Sequence, residues 1–279
     1  MREVNAEQII SAVKTIAIKS NYFLGNDVMK ALNERYEKEE SPVGKEILSQ
    51  ILENDRISAE KEMPICQDTG VAVVFVELGQ EVHVNGDINE AIHEGVRQGY
   101  KEGYLRKSIV ENPLYRKNTN DNTPAVIHMK VVPGDKIKLT IAPKGGGSEN
   151  MSRIKMLKPL EGEEGVKSFV LQTISEAGGN PCPPIVIGIG IGGTFEKAAL
   201  ISKEALLRPL DDHNEDTRIA KLEDEILESV NKLGIGPMGL GGRTTALGVK
   251  IETYPCHIAS LPVAININCH AARHETIII

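Results

Sequence analysis

The segment Glu62-Met-Pro-Ile-Cys66-Gln67-Asp68-Thr69-Gly70 leads directly into the apolar run Val71-Ala-Val-Val-Phe-Val-Glu-Leu78. A continuous apolar run that follows a glycine is typical of a strand covered on both faces. The turn before it offers a thiol, an amide and a carboxylate on one loop, and this combination predicts one corner of a metal site. A buried cysteine followed by a turn-forming aspartate would give the same pattern, so the other cysteines must decide between the two.

The composition is that of an ordinary soluble globular protein. The 279 residues, 41% of them hydrophobic, can bury a large core as one large domain or two small ones. A net charge of -7 without long basic runs argues against nucleic-acid binding and favours a small molecule or a protein as the partner. The polar N-terminus and the lack of a long apolar stretch predict a cytoplasmic protein that does not enter a membrane.

Three of the four cysteines lie in loops next to strand-like runs. The segment Asn180-Pro-Cys182-Pro-Pro184 presents its thiol in a loop stiffened by prolines, and Cys269 follows the apolar run Leu261–Asn268. Cys256, beside Pro255, is a candidate fourth ligand. No pair shows Cys-x-x-Cys spacing, so a zinc ribbon or a ferredoxin-type loop is disfavoured.

Two glycine-rich segments are candidate anion sites. In Lys144-Gly-Gly-Gly-Ser-Glu-Asn150 the glycines would let backbone N–H groups converge on an oxyanion, although a flexible loop explains them equally well. The spacing Gly188-x-Gly190-x-x-Gly193 matches a dinucleotide fingerprint and leaves an NAD-binding oxidoreductase as an alternative. That motif needs a following strand with an acidic residue, whereas here the sequence predicts a second helix up to Leu233.

Two strand-like runs in the middle of the chain predict an antiparallel hairpin. Val126–Val132 and Ile137–Ile141 flank the turn Pro133-Gly134-Asp135. Further on, Ile185–Ile191 is predicted as a strand that leads into a helix. We therefore expect an α+β fold with mixed, partly antiparallel sheets covered by helices.

The N-terminal part is predicted to be helical. Apolar residues recur at helical spacing through about residue 62, with charged residues between them. We expect a helical layer over about residues 1–62 and an α/β body over about residues 63–279, together forming one domain over residues 1–279.

Five motifs taken together resemble the alpha subunit, or N-terminal region, of class I iron–sulfur fumarate hydratases and L-tartrate dehydratases. The resemblance covers essentially the whole chain, and the joint occurrence of the motifs is highly specific. The motifs are Pro64-Ile-Cys66-Gln67-Asp68-Thr69-Gly70, Asn120-Asp-Asn-Thr-Pro124, Lys144-Gly-Gly-Gly-Ser-Glu-Asn150, Asn180-Pro-Cys182-Pro-Pro184 and Gly188-Ile-Gly-Ile-Gly-Gly193-Thr.

The resemblance implies a [4Fe–4S] cluster held by Cys66, Cys182 and Cys269, with one iron left without a protein thiolate. The open position lets that iron act as a Lewis acid on a substrate hydroxyl or carboxylate. The implied reaction is the reversible hydration of fumarate to L-malate, and conversion of L-tartrate to oxaloacetate is the alternative within the family. A noncatalytic subunit whose cysteines merely pack is a third hypothesis.

The resemblance also implies the residues that contact a small dicarboxylate substrate. Gln67 and Asp68 would lie against it, with Asp68 either transferring a proton or bonded to the substrate hydroxyl. Arg106 would clamp a carboxylate, and His257 would reach the site as a catalytic residue. The other implied substrate contacts lie in one glycine-rich loop: Gly146, Glu149 and Asn150.

A partner chain is implied as well. In the family that the motifs resemble, a second region, either fused or encoded as a separate beta subunit, adds cations and a threonine base. We therefore expect a hetero-oligomer of alpha and beta chains in which this chain supplies a half-site. The apolar end Glu275-Thr-Ile-Ile-Ile279 is expected to be exposed and to contact another molecule.

Overall fold

The computed structural model describes residues 1–279, and helices and strands are mixed along the chain. The helices are α1 (Ala6–Tyr22), α2 (Asn26–Lys38), α3 (Pro42–Lys61), α4 (Ile88–Glu102), α5 (Gly146–Glu149), α6 (Gly162–Ala177), α7 (Phe195–Ala205) and α8 (Thr217–Asn231). The strands are β1 (Arg2–Asn5), β2 (Val71–Gly79), β3 (Val82–Asn85), β4 (Val126–Val132), β5 (Ile137–Lys144), β6 (Arg153–Leu157), β7 (Ile185–Gly192), β8 (Ala246–Tyr254), β9 (Leu261–Asn268) and β10 (Glu275–Ile278). The predicted α+β class with mixed sheets is confirmed.

The chain divides into two compact units, each assembled from segments that are distant in sequence. Unit 1 comprises Met1–Gly25, Asn54–Gly146 and Arg273–Ile279. Unit 2 comprises Asn26–Glu53 and Gly147–Ala272. The expected single domain over the whole chain stays a prediction.

The N-terminal part is helical, as its periodicity predicts, after the short strand β1. The apolar stripe of α1, with Ile9, Val13 and Ile16, is buried in unit 1. The stripe of α2, with Val28 and Leu32, is buried in unit 2. None of the helices in the chain combines the length and the apolar character needed to span a membrane.

The central strand of unit 1 is β2. It pairs in parallel with β4 and antiparallel with β5, while β5 pairs antiparallel with β10. Ala72, Val74 and Val76 of β2 are buried in one core with apolar residues of α1 and α4. The two helices approach closely at Gly95, where an added Cβ would lie 2.6 Å from Cβ of Val13. A second, two-stranded parallel sheet joins β1 to β3.

The predicted hairpin is wrong in its pairing, although both of its strands exist. β4 and β5 are joined through the turn at Gly134, but each of them pairs with β2, which lies between them. The physical reason is that β2 is the more apolar strand and is buried by neighbours on both edges, whereas Val126, Met129 and Val131 leave β4 half exposed. A turn motif shows where the chain reverses direction, but it does not show whether the two flanking strands pair with each other or with a third strand between them.

The apolar C-terminal end is explained within unit 1, so the expectation that it is simply exposed is wrong. β10 adds an antiparallel strand beside β5, and Ile137 and Ile279 exchange two backbone hydrogen bonds of 2.9 Å. Ile277 and Ile279 pack against the core of unit 1, while Ile278 is 58% exposed. Strand pairing thus accounts for most of the apolar character of this end.

The central strand of unit 2 is β7, which pairs in parallel with β8 and antiparallel with β9. One face of β7 carries Ile185, Ile187 and Ile189, which are buried in a core with residues of α6 and α8. The other face carries glycines, against which α7 packs. β6 completes the sheet on the far side of β9.

A buried carboxylate joins two segments of unit 2. Glu39, just after α2, accepts hydrogen bonds from the backbone N–H groups of Ser41 at 3.0 Å, Arg243 at 3.0 Å and Thr244 at 2.8 Å. Burial favours a raised pKa for Glu39, but these donors outweigh it and hold the pKa below its ordinary value. The carboxylate therefore stays ionised and anchors the glycine-rich segment before β8.

We predict that Asp55 makes unit 1 less stable as the pH rises. Asp55 is 5% exposed, and neither of its carboxylate oxygens has a hydrogen-bond partner. Burial raises the pKa of Asp55 to about 7, with a partial offset from the Asn54 side chain. The folded state therefore holds a proton that the unfolded chain has already lost, so stability is full near pH 4 and declines towards pH 7.

The Asp55→Asn variant removes this proton linkage. The free energy of unfolding of the wild type, relative to the variant, should fall by roughly 2–3 kcal/mol between pH 5 and pH 8 in urea titrations. Asp135→Asn, at an exposed turn of the same unit, is the matched control and should keep the wild-type pH dependence, because Asp55 is still present. Parallel curves for wild type and Asp55→Asn would contradict the prediction.

Candidate active site

The loop from Cys66 to Gly70 enters β2 at the edge of the unit 1 sheet. The Asp68 N–H donates to the Cys66 sulfur at 3.4 Å, and the Cys66 thiol donates to Gln67 Oε1 at 3.3 Å. Gly70 has a φ of 74°, and an added Cβ there would lie 2.7 Å from the backbone nitrogen of Lys144. The loop therefore needs glycine at this point, both for its left-handed backbone and for the close approach of β5.

Asp68 is the best-anchored functional group of this loop. Its Oδ1 accepts a hydrogen bond from the Gly70 N–H at 3.1 Å, and its Oδ2 accepts one from the Gly146 N–H at 2.8 Å. The carboxylate is only partly buried, and Gln67 beside it is exposed. Unit 1 thus brings three of the predicted substrate contacts together: Gln67, Asp68 and Gly146.

Arg106 lies beside the same loop through its backbone. The Thr69 hydroxyl donates to the carbonyl oxygen of Arg106 at 2.9 Å, while the Arg106 side chain is exposed. The preceding Tyr104 has a φ of 50°, which turns the chain sharply after α4. The backbone of Arg106 is therefore held beside the loop that carries Asp68, and its side chain faces solvent.

Three buried residues that sequence reasoning did not select hold the loop from beneath. Tyr100 donates its hydroxyl to the carbonyls of Thr69 at 2.6 Å and Gly70 at 3.1 Å. The Asn122 side chain also donates to Gly70 O at 3.1 Å, and Arg273 donates to the carbonyl of Asp68. Asn122 stands in one of the family motifs, but nothing in a lone asparagine or arginine signals that it is buried in this place.

Unit 2 places Cys182 and Cys269 on adjoining loops. Cys182 precedes β7 and Cys269 follows β9, and these antiparallel strands meet at the pair Val186 and Asn268. The His270 N–H donates to the carbonyl of Cys182 at 3.3 Å. Cys182 adopts a φ of 55°, and both thiols are partly exposed. Two of the three predicted cluster ligands therefore lie at one end of the unit 2 sheet.

The second half of the glycine-rich segment lies at the same end of unit 2. It forms the short helix α5 rather than an open loop. Glu149 receives hydrogen bonds from Lys203 Nζ at 2.8 Å and from Asn266 Nδ2 at 2.9 Å. Asn150 is exposed, and its carbonyl accepts from Arg153. Glu149 is thus engaged by protein groups, whereas the Asn150 side chain faces solvent.

His257 lies at the opposite end of the same sheet. It stands in the exposed loop between β8 and β9, where its Nδ1 accepts the Ala259 N–H at 3.1 Å. Strand β7 runs between that end and Cys182, a span of roughly 20 Å at the usual rise per residue. The structure therefore does not bring His257, or the neighbouring Cys256, to Cys182 and Cys269 of the same chain.

The sequence matches the family model described as fumarate hydratase (Fumerase) over residues 10–278. The chain belongs to the fumarate hydratase (Fumerase) family. It is 49% identical over 258 residues to a protein of Methanocaldococcus jannaschii named putative L(+)-tartrate dehydratase subunit alpha, covering 90% of each chain. It is 32% identical over 286 residues to the L(+)-tartrate dehydratase subunit alpha of Escherichia coli strain K12, covering 100% of this chain and 94% of that one. The resemblance inferred from the motifs is confirmed, and the protein is a hydro-lyase.

The three loop cysteines of this Fumerase-family chain offer thiolates, the ligand type that holds iron–sulfur clusters. No group of three or more His, Cys, Asp or Glu side chains is arranged to hold one ion. In a cluster each thiolate binds a different iron, and hydrogen bonds to sulfur tune its properties. Cys66 has such a bond from the Asp68 N–H, and Cys182 and Cys269 present partly exposed thiols.

The glycines of the dinucleotide-like fingerprint have a packing role. Gly188 and Gly190 lie inside β7, where added Cβ atoms would come within 2.1 Å of the carbonyl oxygens of Ser202 and Ala198 in α7. Only Gly193, with a φ of 71°, stands at the turn into the helix. Close helix–strand packing explains the spacing, and the NAD-binding alternative loses its main support.

We predict that Gly190→Ala lowers the free energy of unfolding by about 3 kcal/mol or more, because α7 must move away from β7. Gly147→Ala is the matched control, since its added Cβ would lie 3.7 Å from the nearest atom, the Asn180 oxygen, and should change stability by less than about 1 kcal/mol. Chemical denaturation of both variants gives the comparison. Wild-type stability of Gly190→Ala would contradict the packing explanation.

Proposed function

We propose that this chain is the alpha subunit of a [4Fe–4S]-dependent hydro-lyase that hydrates fumarate reversibly to L-malate. The observation that carries the proposal is the family match over residues 10–278, together with the fixed carboxylate of Asp68 beside Cys66. L-Tartrate is the second candidate substrate, because the relatives at 49% and 32% identity are named tartrate dehydratase subunits. Both reactions act on a four-carbon dicarboxylate and differ by one hydroxyl.

In this proposal Cys66, Cys182 and Cys269 hold the cluster. The support is that all three thiols are partly exposed on loops and that the last two already lie side by side in unit 2. When bound, such a cluster supplies a Lewis acid at the iron without a protein thiolate. Cys256 is left out, because it lies at the other end of the unit 2 sheet.

The three groups of unit 1 that we propose to face the substrate have different chemical roles. Asp68 is fixed by two backbone N–H groups, so its carboxylate keeps one orientation while it accepts a hydrogen bond or a proton from the substrate. Arg106 offers a planar, permanently charged fork that suits a substrate carboxylate. The exposed amide of Gln67 adds a neutral donor and acceptor beside them.

The remaining candidates take lesser roles. The Gly146 N–H is already used by Asp68, so Gly146 acts by positioning that carboxylate. Glu149 shapes the end of unit 2 through Lys203, and the exposed Asn150 is the group of that segment we assign to the substrate. His257 is not assigned to the site of its own chain, because roughly 20 Å of sheet separates it from Cys182.

A beta subunit completes the site in this proposal. The relatives that the chain matches along 90% and 94% of their lengths are named alpha subunits, a name that pairs with a second chain. The partner would supply the cations and the base that the groups of this chain lack. We expect the complex to be cytoplasmic, where a reducing environment preserves thiolates and cluster iron.

We predict that anaerobic reconstitution gives about four irons and four sulfides per chain. Cys66→Ser, Cys182→Ser and Cys269→Ser should each lose most of this iron and the broad visible absorbance of the cluster. Cys256→Ser is the matched control and should keep both, because that thiol is exposed at the far end of the sheet. A wild-type chain that stays colourless, under conditions that load a known cluster protein, would overturn the proposal.

Turnover by the reconstituted complex with its partner separates the two substrates. We predict that kcat/KM for fumarate exceeds that for L-tartrate by about tenfold or more. A site shaped around fumarate and the single hydroxyl of L-malate discriminates against L-tartrate, which carries two hydroxyls. Spectrophotometric loss of fumarate and formation of oxaloacetate give the two rates. The reverse order would assign the chain to the tartrate reaction, and no turnover of either would refute the proposed substrate class.

A further inference from the structure

The backbone carbonyls of three consecutive loop residues are all held by buried side chains of unit 1. Tyr100 and Asn122, both fully buried, bind the carbonyls of Thr69 and Gly70. Arg273, 5% exposed, binds the carbonyl of Asp68. A loop that presents a thiol and a carboxylate is thus pinned at its main chain, which is how a site keeps its geometry before substrate binds.

Of these three side chains, only Arg273 carries a charge, and holding one backbone carbonyl does not require that charge. Its Nε and Nη1 are buried and have no hydrogen-bond partner. A buried guanidinium with unpaired N–H groups costs free energy, and a neutral donor such as glutamine could bind one carbonyl equally well. The positive charge itself therefore calls for a reason.

The surroundings of Arg273 supply that reason. The segment Arg273–Ile279 leads into β10 beside β5, at the sheet edge where Asp68 meets Gly146. Burial raises the pKa of the Tyr100 hydroxyl, while the charge of Arg273 lowers it and that of Asp68 raises it, so both charges act on the same buried group. The guanidinium lies beneath the loop that carries the Cys66 thiol and the Asp68 carboxylate.

Resting on the function proposed above, we propose that Arg273 is a positioning residue for the Cys66–Gly70 loop. Its donor to the Asp68 carbonyl fixes the main chain of that residue. Its charge offsets the negative charge that accumulates when the thiolate, the Asp68 carboxylate and a dianionic substrate share one small region.

Two variants separate the charge from the hydrogen-bonding fork. Arg273→Met removes both at similar length, and Arg273→Lys keeps the charge but loses the planar fork. In the full chain without cluster, amide exchange at Asp68 and Gly70 should be about tenfold faster in both variants, because the loop opens more easily. In the reconstituted complex, KM for fumarate should rise about tenfold in Arg273→Met and stay within roughly twofold in Arg273→Lys.

Arg218→Met is the matched control for loss of an arginine. Its side chain is 87% exposed and pairs with Asp216, so exchange at Asp68 and Gly70 and the KM should match the wild type. Wild-type exchange at those two amides in Arg273→Met would overturn the proposal. So would wild-type KM in Arg273→Met, or an equal rise of KM in Arg273→Lys.

Iron binding tests the proposed function, and amide exchange tests the role of Arg273 in positioning the loop. The exchange measurement needs no cluster, so a chain that fails to bind iron refutes the proposed function while the loop is still tested. If Arg273→Met fails to fold, Arg273→Lys decides: faster exchange at Asp68 and Gly70 with unchanged exchange in α6 supports the positioning role, and wild-type exchange refutes it.

Discussion

The pairing of β2 with β5 is the constraint on which the unit 1 site depends. Because Lys144 passes opposite Val71, its backbone leaves room only for a glycine at position 70. The same close approach brings Gly146, just beyond β5, within hydrogen-bond distance of Asp68. One backbone ladder thus decides where the candidate carboxylate lies and in which direction it points.

Unit 2 also contains glycines that permit a close approach of two elements, here a helix and a strand. Glycines 188 and 190 let α7 pack tightly on β7, and the opposite face of β7 carries the isoleucines of the core. With β7 fixed in the middle of the sheet, its neighbour β9 ends beside the start of β7. The loops with Cys182 and Cys269 are neighbours for this reason, and the loop with His257 is carried to the other end of the sheet.

In unit 1 the groups able to meet a substrate are exposed or partly exposed, while the groups that hold them are buried. Gln67 and Arg106 reach solvent, whereas Tyr100, Asn122 and Arg273 are inaccessible beneath the loop. This division suits a hydro-lyase, because the substrate must enter from solvent and the carboxylate must already be aligned. Rigidity is supplied by buried polar contacts rather than by the loop itself.

The sequence by itself determined the family, the α+β class, the N-terminal helices and the identity of the candidate ligands, since motifs and periodicity are local properties of the chain. Only the tertiary structure decided that β2 separates β4 from β5, that the apolar end pairs with β5, and that His257 lies far from Cys182. It also showed that Arg273 donates to the carbonyl of Asp68, a contact between residues more than 200 positions apart in the sequence. Strand order and burial depend on which segments compete for the same neighbour, and no local pattern records that competition.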